Sequence, residues 1–347
     1  MAVQTVLGAI ESSELGIISP HEHVFIDLRG FFTEGYIKGC VATSTDSVTI
    51  EKLGILNRDP YAIKDNLIID DMEIQIKELL RFKQAGGSTV VDATTLGIGR
   101  DPIALKKIAI ATGLNIVIGT GFYVGTTHSK ELLQMEINEI ANIMQSEIEI
   151  GIDGTDIRAG VIGEIGISEV FSDSEIRVLK ASAIAQKTSG LGILVHINPW
   201  TTNGIKASKI LLDDGIKPEK IAICHVDVEN NKEYIMELLR AGIFIEFDNF
   251  GKEYYVQRQV RRSGYGLFAK DTERVTLLKQ LIDKGYINQI LLSCDVCLKT
   301  LLVRYGGWGY AHILENIVEM MEDEGISHAM LDIMLRENPA RFLDSQT

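Results

Sequence analysis

Eight short runs of β-branched and other apolar residues recur along the chain, each followed by a loop and a longer stretch of helical periodicity, and this alternation limits the fold more than any other feature. The runs are Gly16 to Ser19, Thr89 to Asp92, Ile116 to Gly119, Gly160 to Gly163, Ile193 to Val195, Ile221 to Cys224, Phe244 to Phe247 and Ile290 to Ser293. Between them the spacing predicts helices over 71–84, 102–112, 129–150, 174–189, 207–214, 232–240 and 272–284, several of them closed by a glycine. Continuous apolar strands alternating with helices imply a parallel sheet covered on both faces. Eight such units predict an α/β fold of the (β/α)8 TIM-barrel kind rather than an open doubly wound sheet, and no G-x-G-x-x-G opens a helix after a strand. No proline-rich or low-complexity linker divides the 347 residues, so 1–347 read as a single domain. Within it, 27–66 form an elaborated first βα loop and 309–347 a C-terminal helical segment.

A barrel of this kind carries its chemistry at the C-terminal ends of its strands. The first run leads into His21 and His23, which lie two apart on extended chain and so share a side, with Glu22 pointing away. The fourth leads into Glu164, the fifth into His196, the sixth into His225 and the eighth into Asp295. Each has an ordinary alternative: a satisfied core histidine for His196 or His225, a surface glutamate for Glu164, a helix cap for Asp295. All of these would have to hold together at equivalent places on five strands. Four of the seven histidines stand at strand ends, which points instead to a metal centre.

Four histidines and two carboxylates exceed the three protein ligands usual for one catalytic zinc. The expectation is therefore two divalent cations: His21, His23 and Asp295 on one, His196 and His225 on the other, with Glu164 between them. A bridging hydroxide would be the nucleophile, and Asp295 would take its proton. Zinc is the first expectation for the metal, with manganese, cobalt or iron as alternatives, since imidazole and carboxylate suit all of them.

The net charge of −14 argues against nucleic acid as a partner. Four cysteines without framework spacing suit a reducing, cytoplasmic setting, and Cys294-x-x-Cys297 has no second such pair to complete a zinc site. Neither a leader-like start nor an apolar run of membrane-spanning length is expected.

Several segments resemble the phosphotriesterase-like branch of the amidohydrolase superfamily. They are 16–23 with Pro-His-Glu-His, 91–95 with 99–102, 159–166, 224–227, 245–248, 291–297 and the closing 337–341. Together they span almost the whole chain in order. The resemblance implies a (β/α)8 barrel, a binuclear zinc-type centre with the ligands above, a homodimer, and hydrolysis of esters, lactones, amides or phosphoesters. Many members carry a carboxylated lysine after the fourth strand, where this chain has Glu164. It is thereby similar to the subgroup of phosphotriesterase homology and phosphotriesterase-related proteins, in which a glutamate bridges.

The segment after the seventh run, 251–262, concentrates cations in an acidic chain. Lys252, Arg258 or Arg262 would grip an anionic group of a small substrate at a distance from the scissile bond, with Tyr254 or Tyr255 donating a hydrogen bond. Arg100 and Arg304 are further cations of the same kind. The expected function is hydrolysis of an ester, lactone or amide of a phosphorylated or carboxylated substrate, such as a sugar lactone phosphate. The alternatives are phosphoester or phosphotriester hydrolysis at the same site, or metal-dependent binding without turnover.

Overall fold

The computed structural model describes residues 2–33, 43–256 and 266–345. All eight expected strands are present: β1 Ile17–Glu22, β2 Gly87–Asp92, β3 Asn115–Thr120, β4 Val161–Ile167, β5 Ile193–Ile197, β6 Ile221–Ile223, β7 Phe244–Phe247 and β8 Ile290–Leu292. They lie in one parallel sheet in sequence order, curled into a nearly closed (β/α)8 barrel. The edge between β8 and β1 is joined by side chains. Ser293 Oγ accepts from His21 N at 3.2 Å and meets Ser19 Oγ at 2.9 Å.

Strand residues alternate between two apolar layers. Val91, Val117, Val161, Leu194, Ala222, Phe244 and Leu291 fill the barrel interior. Ile116, Ile162, Ile193, Ile223, Ile245 and Ile290 face the helices. Burying each such side chain contributes about 1.5–3 kcal/mol, which is why a one-residue slip of any strand is prohibitive. An N-terminal hairpin, Ala2–Thr5 with Gly8–Glu11, and the last helix close the barrel below, where Phe342 packs edge-on against Phe244 at 5.7 Å.

The outer helices are α1 Met72–Gln84, α2 Pro102–Thr112, α3 Ile137–Glu149, α4 Asp173–Ser189, α5 Asn203–Asp213, α6 Lys232–Arg240 and α7 Asp271–Asp283. Their ends follow local chemistry. Asp71 and Asp101 accept backbone N–H groups at the starts of α1 and α2, and Gly113, at φ +65°, ends α2. Two expected starts are displaced. α3 begins at Ile137 rather than Ser129, because Glu136 and Glu139 form a reciprocal cap there and residues 132–134 make only a tight turn. α5 begins four residues before the expected Ala207. The C-terminal segment forms two helical stretches, 313–323 and 328–343. Among the described residues no helix is long and apolar enough to cross a membrane.

Candidate metal centre

At the C-terminal rim of the barrel the structure brings together all six residues the sequence singled out. His23 Nε2 lies 3.2 Å from Asp295 Oδ1 and 3.8 Å from Glu164 Oε2. His21 Nε2 lies 3.5 Å from Glu164 Oε1 and 4.0 Å from Asp295 Oδ1. Four ligands at the usual zinc distances stand about 3.4 Å apart when tetrahedral, so this half is spaced to hold a cation. His21 Nε2, fully buried, has no hydrogen-bond partner among the described residues, an orphan that a metal ligand would be. On the other side, His196 Nδ1 and His225 Nε2 lie 2.8 and 2.9 Å from Glu164 Oε1 and 2.9 Å from each other. These are hydrogen-bond distances, and the donors would part by about half an ångström to hold a cation. The donor set thus fits two divalent cations with Glu164 between them.

Local backbone geometry aims these groups inward. Gly163 has φ +118°, and a Cβ there would collide with the Leu194 carbonyl oxygen, so only glycine admits the irregularity between Ile162 and Ile165. Glu164 N then bonds Ala93 O at 3.1 Å and the carboxylate turns to the barrel axis. His225 and Asp295 adopt φ +61° and +46°, conformations that side-chain-bearing residues rarely take and that surrounding bonds must hold.

Those bonds come from carboxylates at neighbouring strand ends, an arrangement the sequence did not disclose. Glu22 accepts from Cys294 N at 3.0 Å and Val296 N at 2.8 Å, gripping the turn that presents Asp295. Its two oxygens are taken up by the backbone on either side of Asp295. Asp92 accepts from Val24 N at 2.8 Å, and Asp248 accepts from His225 N at 2.9 Å. Asp227 accepts from Asn249 N at 3.0 Å. Behind them Arg274 of α7, wholly buried, meets Asp227 Oδ2 at 2.9 Å, Asp271 Oδ1 at 2.8 Å and the Lys252 carbonyl at 3.2 Å. The post-β6 and post-β7 turns are thereby tied to one guanidinium.

Three of the four histidines have their second nitrogen occupied. His21 Nδ1 bonds Glu246 at 2.7 Å, His225 Nδ1 bonds Asp248 at 3.0 Å, and His23 Nδ1 bonds Thr94 Oγ1 at 2.8 Å. Since the Thr94 hydroxyl donates to Phe25 O, it accepts from His23. In its neutral form each of these three rings keeps an Nε2 lone pair facing the centre, the orientation of a metal ligand. The available signal for Glu246 and Asp248 was a pair of acids in the otherwise apolar β7 and just past it.

Burial opposes charge throughout, yet the site is strongly polarised. Although burial disfavours its protonation, the acids Glu164 and Glu246 around His21 raise its pKa to about 10. Burial raises and the neighbouring imidazoles lower the Glu164 pKa, and the imidazoles prevail. At Asp295 burial is likewise overcome, chiefly by Lys252 and the imidazoles. Burial lowers that of His196. Such a concentration of carboxylates attracts cations, and the carboxylate forms are the ones that ligate.

The expected anion clamp is placed differently from the expectation. Lys252 does not stand apart from the candidate ligands; its ammonium pairs directly with Asp295 Oδ2. Tyr254 is buried and lines the cavity, whereas Tyr255 is 61% exposed and does not. Arg258 and Arg262 lie outside the described residues. Arg100 is engaged by Glu147 at 2.7 Å and does not line the cavity. The cavity above the candidate ligands encloses about 700 Å³. Tyr123, not anticipated, lines it with its hydroxyl 3.3 Å from the His196 ring nitrogens.

Comparison with known proteins agrees over the whole length. The family model described as "Phosphotriesterase family" matches residues 1–343. An N-acetyltaurine hydrolase from Danio rerio is 37% identical, over 98% of this chain and 97% of that protein. Among solved structures, a resiniferatoxin-binding protein from Rhodobacter sphaeroides superposes with a TM-score of 0.94 at 32% identity, covering 99% of this chain and 95% of the other. The phosphotriesterase homology protein from Escherichia coli, solved with phosphate in its active site, gives 0.78 at 27%, covering 95% and 99%.

Proposed function

We propose that this chain, which belongs to the phosphotriesterase family and is a hydrolase, cleaves the amide bond of a small N-acylated amine that carries an anionic group, of the N-acyl aminosulfonate or N-acyl amino acid kind. The observation that supports a hydrolytic metal centre best is the placing of Glu164 between two histidine pairs, within 2.8–3.8 Å of all four rings. Amide cleavage is favoured over lactone or phosphoester cleavage by relatives named N-acetyltaurine hydrolase that match from end to end.

In this reading His21, His23 and Asp295 hold one divalent cation, His196 and His225 the other, and Glu164 both. When bound, the cations supply an acidified water and polarise the acyl oxygen. The protein's own part follows from its geometry. Asp295 Oδ1 faces the histidines while Oδ2 is held by Lys252, so the carboxylate is fixed in one orientation, ready to accept a proton at the reacting end. Lys252 is the one cationic side chain among the described residues lining the cavity. It therefore serves as the counter-ion for the substrate's sulfonate or carboxylate next to the scissile bond. Tyr254, in the same turn, adds the buried wall beside it.

The test is hydrolysis of N-acetyltaurine, N-acetylated amino acids and a lactone panel by protein loaded with zinc, manganese or cobalt, with metal content measured. Turnover of anionic amides, and a KM that rises at least tenfold in Lys252→Met for anionic but not neutral amides, is the expected result. Lactone turnover without amide turnover overturns the reading.

A further inference from the structure

We infer that the acyl group of the substrate is bulky and apolar, an aryl or medium-chain acyl, rather than acetyl. The inference takes the chemistry of the site from the amide reading, but the pocket that carries it is a separate observation. A cavity of about 700 Å³ lies in the roughly 300–1,000 Å³ range that holds drug-sized ligands. An acetyl group joined to a short aminosulfonate would leave most of that space to water.

The walls are wrong for water. Trp200 meets Phe268 edge-on at 5.4 Å, and Phe268 meets Tyr254 edge-on at 5.2 Å, making one continuous aromatic surface. Val228 and Val256 extend it, and both line the cavity. This surface is fixed in place. Trp200 N donates to Asn198 Oδ1 at 3.1 Å, and the backbone at Gly266 packs so closely on the indole that a Cβ there would collide with it. Tyr254, Val228 and Val256 are buried, while Trp200 and Phe268 keep partial exposure that an apolar ligand would cover at a gain in free energy.

Charge assigns the substrate's orientation. Among the described residues, the charged lining residues away from the candidate ligands are Asp59 and Glu169, both acids, so the cation these residues offer an anionic group is Lys252. With the anionic, amine-derived half drawn to Lys252 beside Tyr254, the acyl half is the part left for the Phe268 and Trp200 end of the aromatic wall.

The metal-loaded protein is titrated calorimetrically with the acids that the reaction would release: acetate, butanoate, hexanoate, octanoate and phenylacetate. These products share a carboxylate and are not turned over, so their binding does not depend on which bond is cut. Affinity is expected to tighten about three- to fourfold per methylene buried until the wall is covered. Trp200→Ala and Phe268→Ala should flatten that gradient while leaving acetate affinity within twofold. A flat series in the wild type, or a gradient untouched in both variants, overturns the inference. The kinetic arm separates it from the amide reading. If the gradient holds and no N-acyl amine is cleaved, the reaction assignment fails and the pocket assignment stands. If N-acetyltaurine is cleaved best and longer acyl groups are rejected, the pocket assignment fails and the reaction stands.

Discussion

His21 and His23 reach the centre from one strand, each presenting Nε2 with Nδ1 engaged by Glu246 or Thr94 behind it. His196 and His225 come from adjacent strands, and only His225 has a carboxylate behind it; His196 turns Nδ1 to Glu164 instead. The His196 side chain is 15% exposed and that of His21 is 0%. Donor spacings differ in step, 3.2–4.0 Å in the first half and 2.8–2.9 Å in the second. Both halves use two imidazoles and share Glu164, and only the first adds Asp295, so they differ by that carboxylate and by the support around each imidazole and its depth. A cation in the first half is predicted to be the more tightly held and slower to exchange.

The largest test removes the group on which the first half closes. Asp295→Asn should lower kcat by about 10³-fold with the circular dichroism spectrum unchanged, in the range a positioned proton acceptor contributes. A loss under tenfold would remove Asp295 from the reaction. Glu164→Gln should reduce bound metal from about two equivalents to about one, measured by elemental analysis after gel filtration, with the equivalent lost from the His196/His225 half. Two retained equivalents would mean that Glu164 does not bridge.

Smaller effects sharpen the contrast. Glu246→Gln should weaken the more tightly held cation, and Asp248→Asn the other, each by about 10–100-fold in a chelator competition. If both variants weaken the same site, the halves are not independently supported. Arg274→Met strands Asp227 and Asp271 and should cost about 3–5 kcal/mol of unfolding free energy, as breaking a buried ion pair does.

The acid limb of stability gives the mildest signal. Burial of Asp271 works against its charge, but the His312 hydrogen bond and Arg274 prevail, and its pKa is lowered. A depressed carboxyl contributes stability that is present above the ordinary aspartate value near ~3.9 and lost as the pH falls through the folded value. The melting temperature should therefore drop below about pH 4, and less steeply in Asp271→Asn; equal slopes would remove Asp271 as a cause.

The barrel was legible because its signal is local and repeated. Each strand is a short apolar run and each helix has a stop such as Gly113, so errors such as the start at Ser129 stayed confined to one element. Even that error had a readable cause, the reciprocal pair Glu136 and Glu139. The six candidate ligands were legible for a related reason: strand order fixes which residues reach the rim, and imidazoles and carboxylates there have few other uses. The partner of Lys252 was not legible, because a lysine on a loop reaches over several ångströms, and only the fold shows it to be Asp295, 43 residues on.

The sequence by itself determined the alternation of strands and helices and the six side chains at the rim, since both follow from residue type and period. Only the tertiary structure decided which nitrogen each histidine presents, that Glu22 holds the turn of Asp295 from 272 residues away, and that Trp200, Phe268 and Tyr254 form one wall. Those relations join residues distant in the chain, through hydrogen bonds a few ångströms long and ring contacts whose partners no local pattern names.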